Sequence, residues 1–151
     1  MAKTSKDRLR LWLRVLKATR AVESEIRENL RRDFSTTLPR FDVMAALVQH
    51  EDGLKMSQLS GVLKVSNGNV TGIIERLVED GHVQREPVPG DRRASLVRMT
   101  EQGRAEFARQ AEAHEAWIDK MFADVPPEAA QTMAEALDAV ARRLENKDES
   151  R

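Results

Sequence analysis

The sequence predicts a mainly α-helical chain built around a helix-turn-helix with a small β-hairpin behind it, and three observations carry that expectation. Two short amphipathic helix patterns lie between Met56 and Gly81, only a few residues apart. Two strand patterns, Val83 to Glu86 and Ala94 to Met99, follow directly and bracket a basic turn. Long amphipathic helix patterns flank this segment on both sides. Together they describe a winged helix-turn-helix over residues 37–100, held by a helical dimerisation region formed from residues 1–36 and 101–151.

The first helix is expected over residues 8–32, where Leu9, Leu13, Leu16, Val22, Ile26 and Leu30 recur mostly at steps of three and four. Trp12 widens this stripe. Arg8, Arg10, Arg14, Lys17 and Arg20 crowd its first half, either as a solvated face or as a seat for an anionic ligand. Thr37 is placed to cap a second helix, with Pro39 tolerated in its first turn and Phe41, Met44, Leu47 and Val48 facing inward. Glu51, Asp52 and Gly53 end that helix, and Leu54 to Met56 form a short strand against the hairpin.

The first helix of the helix-turn-helix should start after Ser57, a favourable N-cap, and bury Leu59, Val62 and Leu63, with Val65 closing it. Ser66 caps the next helix, whose apolar side is Val70, Ile73, Ile74 and Leu77 and whose stop is Gly81. Its other side offers Asn67, Asn69, Thr71, Glu75 and Arg76. Gly68 and Gly72 thin it, although each helical glycine costs about 1 kcal/mol relative to alanine. Asn forms bidentate pairs with adenine in the major groove, and Ser, Thr and helix N-terminal N–H groups suit phosphate oxygens. Read alone, the same residues also serve as an N-terminal capping turn.

The next segment favours the DNA reading. Residues 87–93, Pro-Val-Pro-Gly-Asp-Arg-Arg, have turn chemistry, and proline fits poorly within a paired strand, so a projecting loop is expected. An arginine at such a tip suits the strongly negative potential of a minor groove. Asp91 is expected to pair with Arg92 or Arg93 and hold the loop's shape. A solvated turn is the alternative for an isolated Asp-Arg-Arg.

The run Leu59, Leu63, Val65, Ser66, Val70, Thr71, Leu77, Gly81, Val83, Arg85, then Asp91, Arg92 and Arg93, then Met99, Thr100 and Gly103 resembles the MarR family of bacterial transcription regulators. In that family the pattern reads as helix, recognition helix, wing and a threonine opening the next helix. Met99 stands where leucine is commoner and keeps the apolar role. The resemblance implies DNA contacts from Ser66, Asn67, Asn69, Thr71, Arg76, Arg85, Arg92 and Arg93. It also implies a homodimer that binds a pseudo-palindromic operator on double-stranded DNA, with half-sites about one turn apart. Relatives often release DNA when a small anionic or aromatic molecule enters between the dimerisation helices and the winged helix. Trp12, Leu16, Arg20, Phe34, Phe41 and Met44 are placed to line that cleft, or to serve simply as core. The Ser66–Gly72 stretch is similar to regulators of aromatic-acid catabolism, some of which respond to aryl-CoA thioesters; the arginines of the first helix would then meet the effector's phosphates. A repressor released by such an effector is the expectation, with no other cofactor.

Beyond Thr100, Phe107, Ala111, His114, Ile118, Met121 and Phe122 share one side of a long helix, Asp124 to Pro127 breaks it, and a last helix to about Glu145 carries Met133, Leu137, Val140 and Leu144. Residues 146–151 read as a frayed polar tail. The terminal helices hold more apolar surface than a winged helix needs, which points to a second copy of the chain.

Composition bounds the alternatives. A chain of 151 residues with 40% hydrophobic content supports one domain with helical extensions. There is no apolar run near 18 residues and no signal peptide, so a cytoplasmic location with no membrane contact is expected. The absence of cysteine excludes disulfides and thiol-based sensing. His50, His82 and His114 are isolated, giving no metal site, and no nucleophile elbow or phosphate-binding glycine loop appears, so the chain is not expected to be an enzyme. The net charge of zero hides a net of +6 over residues 1–40 and −5 over residues 100–151. Residues 57–99 sum only to +1, less than a strong non-specific DNA binder carries, so the reading rests on where the arginines lie. The competing function is a winged helix that docks another protein without reading DNA, and Asn67, Asn69, Arg92 and Arg93 discriminate between the two.

Overall fold

The computed structural model of the chain describes residues 2–63 and 67–149, residues 67 and 68 as backbone only. Its elements run α1 (Ala2–Phe34), α2 (Leu38–Val48), β1 (Leu54–Lys55), α3 (Met56–Leu63), α4 (Asn67–Glu79), β2 (Val83–Val88), β3 (Asp91–Met99), α5 (Glu101–Met121) and α6 (Pro127–Glu149). The fold is mainly α, with one small antiparallel sheet of order β1-β3-β2.

The core sits inside the winged helix. Val43, Met44 and Leu47 of α2, Leu54 of β1, Leu59 of α3, Val70, Ile74 and Leu77 of α4, and Val83, Val97 and Met99 of the sheet are all buried together. Val43, absent from the expected inner face, is fully buried, while Val48 is only half-buried. Thr37 caps α2 as expected, its hydroxyl accepting from the Arg40 backbone N–H at 3.4 Å.

Several boundaries differ from expectation, each for a local reason. Helix α3 starts at Met56, one residue before the expected cap, because Gln58 reaches back and accepts from the Lys55 N–H at 2.8 Å, the acceptor half of a capping box. Val62 is not a core residue. It is 59% exposed, whereas Leu59, three residues earlier, is fully buried. The expected closing residue Val65 and the expected cap Ser66 lie outside the described residues. Helix α1 is longer than residues 8–32, and α6 continues to Glu149 rather than stopping near Glu145.

The largest correction concerns the hairpin. Residues 87–93 do not form a loop: β2 runs through Val88, β3 begins at Asp91, and only Pro89 and Gly90 turn the chain. Pro87 pairs across from Ser95. It is tolerated because β2 is an edge strand and the register shifts between Pro87 and Val88, two of the settings in which a sheet accepts proline. Gly90 adopts φ +81°, which a turn this tight requires. Strand β1, paired through Leu54–Val97 and Lys55–Leu96, lies against the hairpin as expected but is one residue shorter, because Met56 already opens α3.

Helix α1 ends on Ser35 at φ 51°, whose N–H donates to the Arg31 carbonyl at 3.1 Å, the single bond of an αL cap. A side chain in this left-handed conformation is strained. Ser35→Gly should therefore stabilise the chain by about 0.5–1 kcal/mol, read as a higher urea midpoint at unchanged slope; a lower midpoint would contradict it.

Packing divides the chain into two compact units, Met1–Ala116 and Trp117–Arg151. In the first, Leu9, Leu11, Trp12 and Leu13 of α1 are all more than half exposed. In the second, α6 buries no residue among those described, and Met133, Leu137, Val140 and Leu144 stand 48–59% exposed. Among the described residues no helix is long and apolar enough to cross a membrane, and no group of three or more His, Cys, Asp or Glu is placed to hold a metal ion.

Candidate nucleic-acid interface

Helix α4 is positioned from its apolar back. Val70, Ile74 and Leu77 are essentially inaccessible, which turns Asn69, Gly72, Glu75, Arg76 and Glu79 outward. The helix ends in a Schellman cap: Gly81 at φ +80° donates to the Val78 carbonyl at 3.0 Å, and the His82 N–H donates to Leu77 at 2.9 Å. Thr100 clasps this corner to α5. Its hydroxyl donates to the Gly81 carbonyl at 2.7 Å and accepts from the Gly103 N–H at 2.9 Å, and its own N–H donates to the His82 carbonyl at 3.0 Å. The same residue that opens α5 thus fixes the exit of α4.

The hairpin is braced at both ends. Near its tip, the Asp91 carboxylate accepts from the Arg93 backbone N–H at 3.0 Å. The expectation that Asp91 pairs with a guanidinium is corrected: its hydrogen bond goes to the main chain because that N–H lies only two residues away across a tight turn. Both Arg92 and Arg93 are exposed, and among the described residues neither guanidinium has a carboxylate within ion-pair distance. Deeper in the hairpin, Arg85 donates to the Ser95 hydroxyl across the β2–β3 ladder at 3.2 Å. At its base, Arg98 donates to the Asp52 carbonyl at 3.3 Å and lies 3.8 Å from the Glu86 carboxylate, tying the turn before β1 to the outer strand.

Between α4 and the hairpin lies an open cleft of about 450 Å³ lined by Lys55, Met56, Ser57, Thr71, Arg85, Asp91, Arg93, Ala94 and Ser95. The fold therefore brings together Thr71, Arg85, Asp91 and Arg93 from the expected set. Asn69 is exposed on α4, and Arg76, also exposed, has its Nε 3.3 Å from an Asp80 carboxylate oxygen. Ser66 lies outside the described residues, and of Asn67 only the backbone within α4 is described. Lys55, Ser57 and Ser95 were not anticipated here. The pairing of β1 with β3 carries Lys55 beside the wing, Ser57 follows in the first turn of α3, and Ser95 stands on β3 across from Pro87. With Lys55, Arg85 and Arg93 against Asp91, the cleft is net cationic and lined with hydroxyls, the chemistry of a phosphate-facing surface.

The six candidate effector residues are spread through the first unit. Trp12 and Arg20 are exposed and Leu16 and Phe34 half-buried on α1, Phe41 is buried on α2, and Met44, at 1% exposure, belongs to the winged-helix core. Phe41 stacks at 5.4 Å on Phe107 and at 4.9 Å on His114, and the Arg109 guanidinium lies 5.6 Å over the Phe34 ring. Beside this aromatic group, burial pushes the Asp42 carboxyl above its usual range and Glu23 adds to the shift, opposed by His114 and Arg27.

The sequence model of the MarR family matches residues 36–95, from the residue before the α2 cap to the middle of β3. The uncharacterised HTH-type transcriptional regulator YfiV of Bacillus subtilis is 29% identical over 143 residues, covering 94% of this chain and 88% of its own. The structure of Sco3205, a MarR family regulator from Streptomyces coelicolor in complex with DNA, superposes with a TM-score of 0.78 at 23% identity, over 93% of this chain and 88% of that one. A MarR family transcriptional regulator from Silicibacter pomeroyi superposes with a TM-score of 0.73 at 33% identity, over 95% of this chain and 97% of that one. With a third of its residues shared across nearly the full length of both molecules, this chain belongs to the MarR family of transcription regulators.

Proposed function

We propose that the chain binds double-stranded DNA as a homodimer on a pseudo-palindromic operator, represses transcription there, and is released by a small aromatic or acyl-CoA-type effector. The observation that carries the DNA reading is the pair of exposed arginines, Arg92 and Arg93, beside the hairpin turn and across a cationic cleft from α4. Helix α4 would enter the major groove with Asn69 and Thr71, the described members of the set that the sequence expects to include Ser66 and Asn67. Arg85 would face the backbone, and the wing arginines the adjacent minor groove. The complex of Sco3205 with DNA supports the same use of a shared fold.

Dimerisation is supported by the apolar residues that the single chain leaves in water on α1 and α6, which would give two recognition helices related by a two-fold axis. The effector reading is supported by the exposed cations of α1, Arg8, Arg14, Lys17 and Arg20, which offer partners for the phosphates of a thioester. Trp12 and Leu16 lie among those cations on α1, and Phe34 and Phe41 are the further apolar candidates of the same unit.

A fluorescence-anisotropy titration of the purified protein against DNA from upstream of its own gene tests this. Submicromolar binding to a palindromic stretch, weakening about tenfold or more between 50 and 200 mM salt, is expected. So is release on adding an aromatic acid or its CoA thioester. Binding that no such compound relieves would refute the effector class, and equal affinity for random DNA would refute operator recognition and favour docking to a protein partner.

A further inference from the structure

Arg76 is the single cation of α4, whose other charged residues are Glu75 and Glu79. Its guanidinium is drawn toward the C-terminal end of the helix, with Nε 3.3 Å from the Asp80 carboxylate, one turn on. This is unusual in two respects. Helical side chains lean toward the N-terminus of their helix. An acid at the C-terminal end also opposes the helix dipole, and an arginine four residues before an acid is the weaker order for such a pair. The pair therefore adds less to helix stability than the opposite order would.

The other direction is open among the described residues. Gly72 lies one turn before Arg76, and a Cβ built there would meet nothing within 4 Å. An arginine leaning N-terminally would lie over this gap, toward the half of the helix that reads a groove. Two arrangements of one side chain are thus available: bound to Asp80, or extended across Gly72.

We infer that Arg76 is parked on Asp80 in the free protein and swings across Gly72 onto a DNA phosphate when α4 enters the groove, so that Asp80 limits how tightly the operator is held. The inference rests on the DNA-binding reading above. It assigns Asp80 a role as a positioning residue that acts through Arg76, and it explains why a residue without a side chain occupies position 72.

The test is a cycle of four proteins, wild type, D80N, R76Q and R76Q/D80N, each titrated by anisotropy against the duplex that the wild type selects from a random-sequence pool. Removing the Asp80 charge also weakens general repulsion of DNA, and that part appears equally in both arginine backgrounds. The expected result is that D80N tightens binding at least threefold more in the presence of Arg76 than in the R76Q background, and that R76Q alone weakens it. An equal gain in the two backgrounds, or no gain, overturns the parking of Arg76 and leaves the DNA reading intact. A wild type that selects no duplex overturns the DNA reading itself, and the role of Asp80 with it.

Discussion

Replacing Arg92 and Arg93 together by alanine is expected to weaken operator binding on the order of a hundred- to a thousandfold while leaving the fold intact. Both side chains are exposed, and neither pairs with a carboxylate among the described residues, so removing them should change stability by no more than about 0.5 kcal/mol. In a dimer the substitution removes four guanidinium groups. At about 1 kcal/mol for each guanidinium seated in a groove or on a phosphate, the sum is about 4 kcal/mol, close to three powers of ten. The salt dependence should fall in parallel, by about 0.9 in logarithmic slope for each phosphate that is no longer neutralised. Anisotropy titrations at several salt concentrations check both quantities, with thermal melts as the control for folding. An unchanged slope with unchanged affinity would remove the hairpin from the interface and leave α4 to account for binding alone.

Gly103→Ala is expected to destabilise the chain by about 2 kcal/mol or more, although Gly103 lies within the first turn of a helix, where alanine is ordinarily favoured by about 1 kcal/mol. The added Cβ would sit 2.0 Å from the His82 carbonyl oxygen and 2.8 Å from its carbon. These are main-chain atoms, and the same carbonyl accepts from the Thr100 N–H. Relief requires α5 to withdraw, which stretches the Thr100 hydrogen bonds to Gly81 and His82. Overpacking at so close an approach costs about 1–3 kcal/mol and each broken hydrogen bond about 1 kcal/mol, more than helix propensity returns. Circular-dichroism melts at fixed protein concentration should show the midpoint falling by roughly 4–8 °C. A midpoint that rises would mean that α5 moves freely away from His82.

These two sites differ in how much of them a sequence displays. The helix-turn-helix is legible because burial in α4 follows strict helical spacing, with Val70, Ile74 and Leu77 inside and a glycine cap at Gly81. Thr100 is legible as the start of α5. The reason for Gly103 is not, because its neighbour His82 is distant in sequence and approaches only after the hairpin has folded back. The length of the hairpin is hidden for a related reason. Proline excludes a residue from the middle of a sheet, and only the strand order shows that Pro87 stands on its edge. Val62 misleads because helical spacing marks a stripe without its width, and the partner elements cover Leu59 but stop short of Val62. At the interface, the exposed residues of α4 and the wing arginines are visible as local patterns. Lys55 enters only through the pairing of β1 with β3, Ser95 through the register that sets it across from Pro87, and Asp80 only through its distance to Arg76.

The edge strand has a consequence for how these molecules tolerate crowding. An open edge ordinarily presents a row of unsatisfied N–H and C=O groups on which a strand from another molecule builds, the first step toward aggregation. Along β2 that row is interrupted: Pro87 has no N–H to offer, and the irregularity beside Val88 breaks the spacing an incoming strand would have to match. Gln84 and Arg85 add exposed polar side chains along the same strand. Protein gathered at high local concentration, on neighbouring sites or in a concentrated stock, therefore meets a wing that resists extension into a continuous sheet, and its hairpins remain separate.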